Sequence, residues 1–275
     1  MLLTYVGALG AAWGIARSTP TLHPLWSVAL ADLTATIVVF VSSRRANNSS
    51  LYDPYWSVVP IAIAAWFVTL APAFTDRQAI VLVAICLWGI RLTWNWARGW
   101  AGIGHEDWRY VDIRKKTGRL YWPASFLGIH LFPTVLTFLG SLPVLPAVTS
   151  VAPLSPLDLF AALITFAAIA IEAIADEQLR AYRIQNPTGA CDEGLWKYSR
   201  HPNYFGEILF WVGLWLFGIA AGAPLWMAAG PLAMLALFLF ASIPMAEKHA
   251  VARRPAYAQR IEKVSMLFPW FPKRS

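Results

Sequence analysis

The stretch Arg200-His201-Pro202-Asn203-Tyr204-Phe205-Gly206-Glu207 gathers a guanidinium, an imidazole, an amide, a phenol and a carboxyl just where an apolar run begins. Polar groups at the mouth of a membrane helix are costly unless something uses them. Pro202 suits the first turn of a helix, and Gly206 permits another backbone to come close. Asn203 and Glu207 fall one helical turn apart and point the same way. With Arg200 and His201 beside them, they have the chemistry to grip an amide, a ribose or a pyrophosphate.

Three further stretches carry reactive side chains. In RLTWNWAR, Arg91, Asn95 and Arg98 share one helical face. Arg98 can snorkel to the interface, whereas Arg91 lies deeper and needs an anion, a carbonyl or water. His105-Glu106-Asp107-Trp108-Arg109-Tyr110 comes next, with acid, base and aromatics adjacent. This is not the H-E-x-x-H zinc pattern, so no metal is expected, and the cluster reads either as structural ion pairing or as substrate and cofactor contact. In RRANNSSLYDPYWS, Tyr52, Asp53 and Tyr55 open a span. They read either as an N-cap with interfacial anchors or as a polar wall whose phenol or carboxyl polarises or protonates a substrate. Finally, Glu172, Asp176 and Arg180 recur at four-residue spacing, with Arg183 one turn later. A surface salt-bridge ladder accounts for Asp176 with Arg180 but not for Glu172, whose preceding turns are apolar.

The elements that position these groups are membrane helices. Across 275 residues the mean hydropathy is +0.52, and 13% of residues are charged against about 25% in soluble domains. Apolar runs at 25–41, 58–74, 80–96, 126–145, 157–175, 208–221 and 225–245 each approach the roughly 17–25 residues that cross a bilayer. The expected fold is an all-α polytopic bundle of seven transmembrane helices in a single domain, 1–275. Residues 2–16 form a short or tilted eighth candidate rather than a signal peptide, since they lack a basic start and an A-x-A site. Basic residues occupy alternate connections: Arg44 and Arg45, the 98–119 group, Arg180 to Arg200, and the tail from Lys248 to Arg274. The positive-inside rule then places those loops and the C-terminus in the cytoplasm. Trp56, Trp122, Trp226 and Trp270 fall near span ends, as an interfacial belt would. The net charge of +7 is explained by the loop asymmetry; no motif for nucleic acid accompanies it, and anionic headgroups or an anionic cofactor would both suit it. Two distant cysteines, Cys86 and Cys191, indicate neither a disulfide framework nor a thiolate site.

HPNYFGE, the preceding EAIADEQLRAYR, the YDPYWS turn and the C-terminal EKH…RRPAYAQRIEKVSMLFPWFP together resemble the steroid 5-alpha-reductase C-terminal family, in particular its bacterial members of the DUF1295 type. The resemblance spans roughly 25–273 and is strongest in 172–273. It implies an integral membrane oxidoreductase of the bacterial inner membrane that uses NADPH to reduce a conjugated carbon–carbon double bond in a steroid or isoprenoid enone, drawn laterally from membrane lipid. Carried over residue by residue, the nicotinamide nucleotide contacts fall on Asp176, Asn203, Glu207 and His249. Arg98, Arg180 and Arg183 would serve the phosphates and Asn95 the carboxamide or ribose, with Tyr198, Arg200, His201, Tyr204 and Tyr257 completing the cofactor set. Steroid-reducing members hold the enone carbonyl with an adjacent Gln-Glu pair and a tyrosine; this sequence has Asp53-Pro54 in the corresponding region. The expected polarising pair is therefore Tyr55 with Asp53, with Glu106 and Tyr110 as its rival. Arg200, His201, Pro202, Tyr204, Gly206, Glu247 and Tyr257 also resemble the isoprenylcysteine and phospholipid methyltransferases, which use S-adenosylmethionine. Asn203, Glu207 and the many arginines favour the nicotinamide nucleotide.

Overall fold

Helices account for every regular element of this computed structural model, which describes residues 1–273; Arg274 of the basic tail lies outside the described residues. Among the described residues there is no strand, and seven helical segments are long and apolar enough to cross a membrane. A shorter helix precedes them. In chain order the helices are α1 (Leu2–Ser18), α2 (Pro24–Ala46), α3 (Tyr55–Val68, entered through a 3-10 turn from Ser49) and α4 (Asp76–Gly99). A composite span, Trp108–Thr149, contains α5 (Trp108–Thr117), α6 (Tyr121–Ser125), α7 (Phe132–Ser141) and α8 (Val144–Thr149). Then come α9 (Pro156–Gln185), α10 (Pro202–Ala220), and a last composite of α11 (Ala229–Leu237) with α12 (Ile243–Arg253). A short helix, α13 (Tyr257–Lys263), closes the chain.

Prolines explain the composite spans. Pro133 has no N–H for the carbonyl one turn earlier, and the helix enters it through a π turn at Phe126–Leu131; Pro143 then marks the break between α7 and α8. The run expected at 126–145 is thus the middle of a longer, kinked element. Pro244 sits likewise just beyond a π turn at Phe238–Ser242. Other helix ends are capped by their own side chains. Thr75 accepts from the Gln78 N–H, and Ser155 forms a reciprocal box with Asp158.

The helix pair α9/α10 is the spine of the bundle. A Cβ at Gly206 would lie 2.5 Å from Glu172 Cγ and 2.9 Å from the Ala168 carbonyl, so only glycine allows the two helices this approach. Against them packs a buried aromatic core in which Trp88 stacks on Phe210 at 4.4 Å and meets Trp211 edge-on at 5.3 Å. Outward faces carry exposed apolar side chains such as Leu163, Ile90, Leu232 and Phe240, as lipid contact demands.

Connections on one face of the bundle interlock. Asn48 donates to the carbonyls of Ile103 and His105 at 2.7 and 2.9 Å, tying the α2–α3 and α4–α5 loops together. The C-terminal segment folds back on the α9–α10 loop through Arg200 N–H to Ser265 O and Trp270 N–H to Tyr198 O, both 2.9 Å. Helix α1 runs antiparallel to α2, its Tyr5 hydroxyl donating to Leu51 O at 3.0 Å, so its N-terminus lies on this same face. On the opposite face, buried Arg77 donates to Asp158 at 2.6 and 2.9 Å and to the carbonyls of Ala152 and Pro153. This pair clamps the start of α4 to the start of α9.

Candidate functional site

Three helices deliver charged and amide groups to one place. From α4, Arg91 reaches into α9 and divides its guanidinium between Glu172 (2.8 Å) and Asp176 (2.9 Å). The anion that a deep arginine requires is therefore this pair of carboxylates, and the Asp176–Arg180 ladder is replaced by a cross-helix bridge. Asp176 also accepts from Asn95 at 3.0 Å and from Asn203 at 3.2 Å. Asp176 is thereby the node that joins α4, α9 and α10.

Glu207, one turn below Asn203, has a different environment. Its Oε1 accepts from the indole N–H groups of Trp56 (2.9 Å) and Trp211 (3.0 Å), and its Oε2 from that of Trp88 (2.9 Å). Only 4% of Glu207 is exposed. The carboxyl is enclosed by three indoles and is not among the residues that line the adjoining cavity. Trp56 is likewise moved from an interfacial belt to the interior, because its N–H has a buried acceptor.

Above this network opens a cavity of about 700 Å3. Asn95, Asp176 and Asn203 are among its polar lining, Tyr204 and His201 supply stacked rings 5.2 Å apart, and Arg180, Arg183 and Arg254 contribute guanidiniums. Those three arginines form no ion pair among the described residues. Tyr257 completes a wall; burial, then the nearby Glu247, pushes its phenol up to about 12, so it is a neutral donor. Burial also pushes the lining Cys191 thiol up, which disfavours the thiolate form.

Of the other expected contacts, Arg200 and His201 line the cavity and Tyr198, Arg98 and His249 do not. Arg200 reaches the cavity, yet its guanidinium is committed to Glu247 at 2.6 Å and to the carbonyls of Ile261 and Val264, both at 2.7 Å. His201 Nε2 lies 3.1 Å from the same Glu247 oxygen. These residues fasten the C-terminal segment. Tyr198 belongs to that fastening too, packed edge-on against Phe271. Arg98 pairs with Glu177 and donates to Asn95 Oδ1, outside the cavity lining. His249 lies flat on Trp108 at 3.7 Å between ring centres, which docks α12 onto α5.

The phenol–carboxyl pairs exchange partners relative to expectation. Tyr55 donates to Asp32 at 2.6 Å rather than to Asp53, and Tyr110 donates to Asp53 at 2.6 Å rather than to Glu106. Glu106 instead accepts from the Ser49 N–H (2.8 Å), Tyr121 (3.0 Å) and Arg114 (3.2 Å). Tyr55 and Asp53 are two residues apart at a helix start and so face opposite sides. Glu106 precedes the Asp107 cap and is outside the helix that carries Tyr110. Asp32, Trp88, Trp211 and Arg254 join these networks and the cavity wall without having been singled out from the sequence. An aspartate in the middle of an apolar run is the available signal for the first; the indoles give none.

This arrangement defines a polytopic helical membrane protein with an arginine-rimmed polar cavity at one end of its bundle. The chain belongs to the family described as "Protein of unknown function (DUF1295)", which matches residues 39–264. It is similar to an uncharacterized protein of Schizosaccharomyces pombe, 26% identical over 261 residues that cover 84% of this chain and 76% of the relative. No solved structure matches it.

Proposed function

We propose that the protein is a membrane reductase that takes hydride from NADPH and delivers it to a conjugated carbon–carbon double bond of an apolar enone, of steroid or isoprenoid type. The observation that carries this reading is the cavity's division into an amide and carboxylate end, Asn95, Asp176 and Asn203, and a rim of three guanidiniums without an ion-pair partner among the described residues. Its volume falls within the roughly 300–1,000 Å3 of small-molecule sites. Guanidiniums suit phosphate oxygens, and Asn with Asp suits a carboxamide or ribose. S-adenosylmethionine has no phosphate to engage that rim. The rim would face the cytoplasm, as the basic loops around it indicate.

NADPH, when bound, supplies the hydride. The chain's own groups bind and orient. Arg180, Arg183 and Arg254 would hold the phosphates; Asn203 and Asn95, both fixed by Asp176, would hold the nicotinamide end. Tyr110, whose hydroxyl Asp53 holds at 2.6 Å, would polarise the substrate carbonyl from α5, which packs through Trp108 on His249 of the cavity-lining helix α12. It can turn its proton to the developing enolate oxygen and regain one through Asp53. The packed aromatic core beneath excludes water.

Calorimetric titration of the purified protein with NADPH, NADH and S-adenosylmethionine tests the reading. Selective NADPH binding, weakened about ten- to a hundredfold by Arg183→Ala with Arg254→Ala, is the expected result. Binding of S-adenosylmethionine alone would replace the reductase by a methyltransferase.

A further inference from the structure

A second cavity, of about 240 Å3, lies between α1, α2 and α3 and shares no lining residue with the first. Its wall is apolar, with Trp13 and Ala12 from α1, Ala35 from α2, and Ile63 and Trp66 from α3. The polar exception is the Asp32–Tyr55 pair. Tyr55 donates to Asp32 Oδ1 and accepts from Thr36 at 3.1 Å, which in turn bonds Thr134 at 2.8 Å, so the pair is held rigidly from behind. Asp32 is only 4% exposed, and its other oxygen, Oδ2, is buried without a hydrogen-bond partner among the described residues. A buried polar atom left unmatched in an apolar wall is costly, and a preorganised one marks a place for a ligand group. The cavity's own lining residues Trp13 and Ala65 are exposed on the outer surface, so a ligand would reach it laterally from the bilayer.

We infer that this cavity is an intramembrane binding site for a small apolar alcohol, whose hydroxyl docks on Asp32 Oδ2. A hydroxyl both donates and accepts, so it satisfies Oδ2 whether or not the carboxyl carries a proton. Carbonyls and ammonium groups each match only one of those states. The volume exceeds the roughly 150 Å3 of an apolar cavity that takes benzene, which fits one ring or a two-unit isoprenoid body. Much of the site lies in α1 and the first half of α2, before the family match begins at residue 39, so family membership does not assign it. The inference is independent of the nucleotide reading, because the two cavities have no wall residue in common.

A photoreactive diazirine analogue of geraniol, with the protein in phosphatidylcholine nanodiscs, tests it. Labelling is expected on Trp13, Ile63 or Trp66, and geraniol should compete at a concentration about tenfold lower than the hydrocarbon lacking its hydroxyl. Asp32→Leu should abolish that tenfold advantage. Ala12→Phe, which fills the cavity and leaves Asp32 intact, should abolish the labelling, and it serves should Asp32→Leu fail to fold. Equal competition by alcohol and hydrocarbon in the native protein, labelling at unrelated positions, or labelling undiminished in Ala12→Phe would overturn the assignment. NADPH titration of Ala12→Phe should give wild-type affinity, and a parallel loss would overturn the assignment by making the two cavities one site.

Discussion

Replacing Glu207 by glutamine separates a structural carboxylate from a cofactor ligand. In the native protein Oε1 receives two indole N–H groups and Oε2 a third, from Trp88, at 2.9–3.0 Å. A glutamine oxygen can keep Trp56 and Trp211, but its NH2 group then confronts the Trp88 N–H, donor against donor. Trp88 is fully buried, so its orphaned N–H should cost about 1–3 kcal/mol. Glu207→Ala orphans Trp211 as well, which is also fully buried, and should cost about 2–6 kcal/mol. The assay is unfolding in mixed micelles by titrated dodecyl sulfate, monitored by tryptophan fluorescence. A double-mutant cycle with Trp88→Phe isolates the contact: removing the N–H removes the clash, so the double variant should be more stable than the sum of singles by about 1–2 kcal/mol. Additivity within about 0.5 kcal/mol would refute the indole cage. So would Glu207→Ala with native stability and weakened NADPH binding, which would return Glu207 to the cofactor.

The remaining buried charges and phenols give three more tests. Arg77→Met leaves Asp158 buried and unpaired and should cost about 3–5 kcal/mol in the same unfolding assay, much of it restored in Arg77→Met with Asp158→Leu. Arg91→Lys keeps the charge but cannot span Glu172 and Asp176 together; it should lower stability by about 1–3 kcal/mol and weaken NADPH binding by letting Asp176 move. Tyr110→Phe should slow single-turnover hydride transfer by about 10²–10⁴ with cofactor affinity preserved, whereas Tyr55→Phe should leave that rate near wild type. The reverse pattern would make Tyr55 the polarising group.

The bundle is legible in the sequence because apolar length alone marks each span, and the polar face of the α9–α10 region is legible because acid and amide recur at helical spacing. Gly206 also reads correctly, as a backbone meeting another backbone. Partner identity does not read. Which carboxyl meets which phenol depends on the rotation and tilt of α2, α3 and α5, and these are set by packing that no single segment contains. Neighbouring residues then mislead: Asp53 is close to Tyr55 in sequence yet reaches Tyr110, while Tyr55 finds Asp32 on another helix. Tryptophan misleads similarly, since an indole near a span end serves a lipid interface or a buried carboxylate equally well.

The two halves of the His-Pro-Asn-Tyr-Phe-Gly-Glu motif can be assigned different work on physical grounds. Asn203 and Glu207 lie on one face of α10, and a helix is nearly rigid over one turn, so fixing the lower residue fixes the rotation at which the upper one is presented. Glu207 is fixed from three sides by α3, α4 and its own helix, through Trp56, Trp88 and Trp211. Gly206 lets α9 close on the same turn and bring Asp176 within reach of Asn203. A ligand at Asn203 would therefore meet an amide whose position is determined one turn below it, among three indoles. Weak binding caused by loss of Glu207 would then be accompanied by a large loss of stability, and weak binding caused by loss of Asn203 by a much smaller one, that of its contacts to Asp176 and the Tyr204 N–H, which makes the two residues distinguishable although the motif holds them four positions apart.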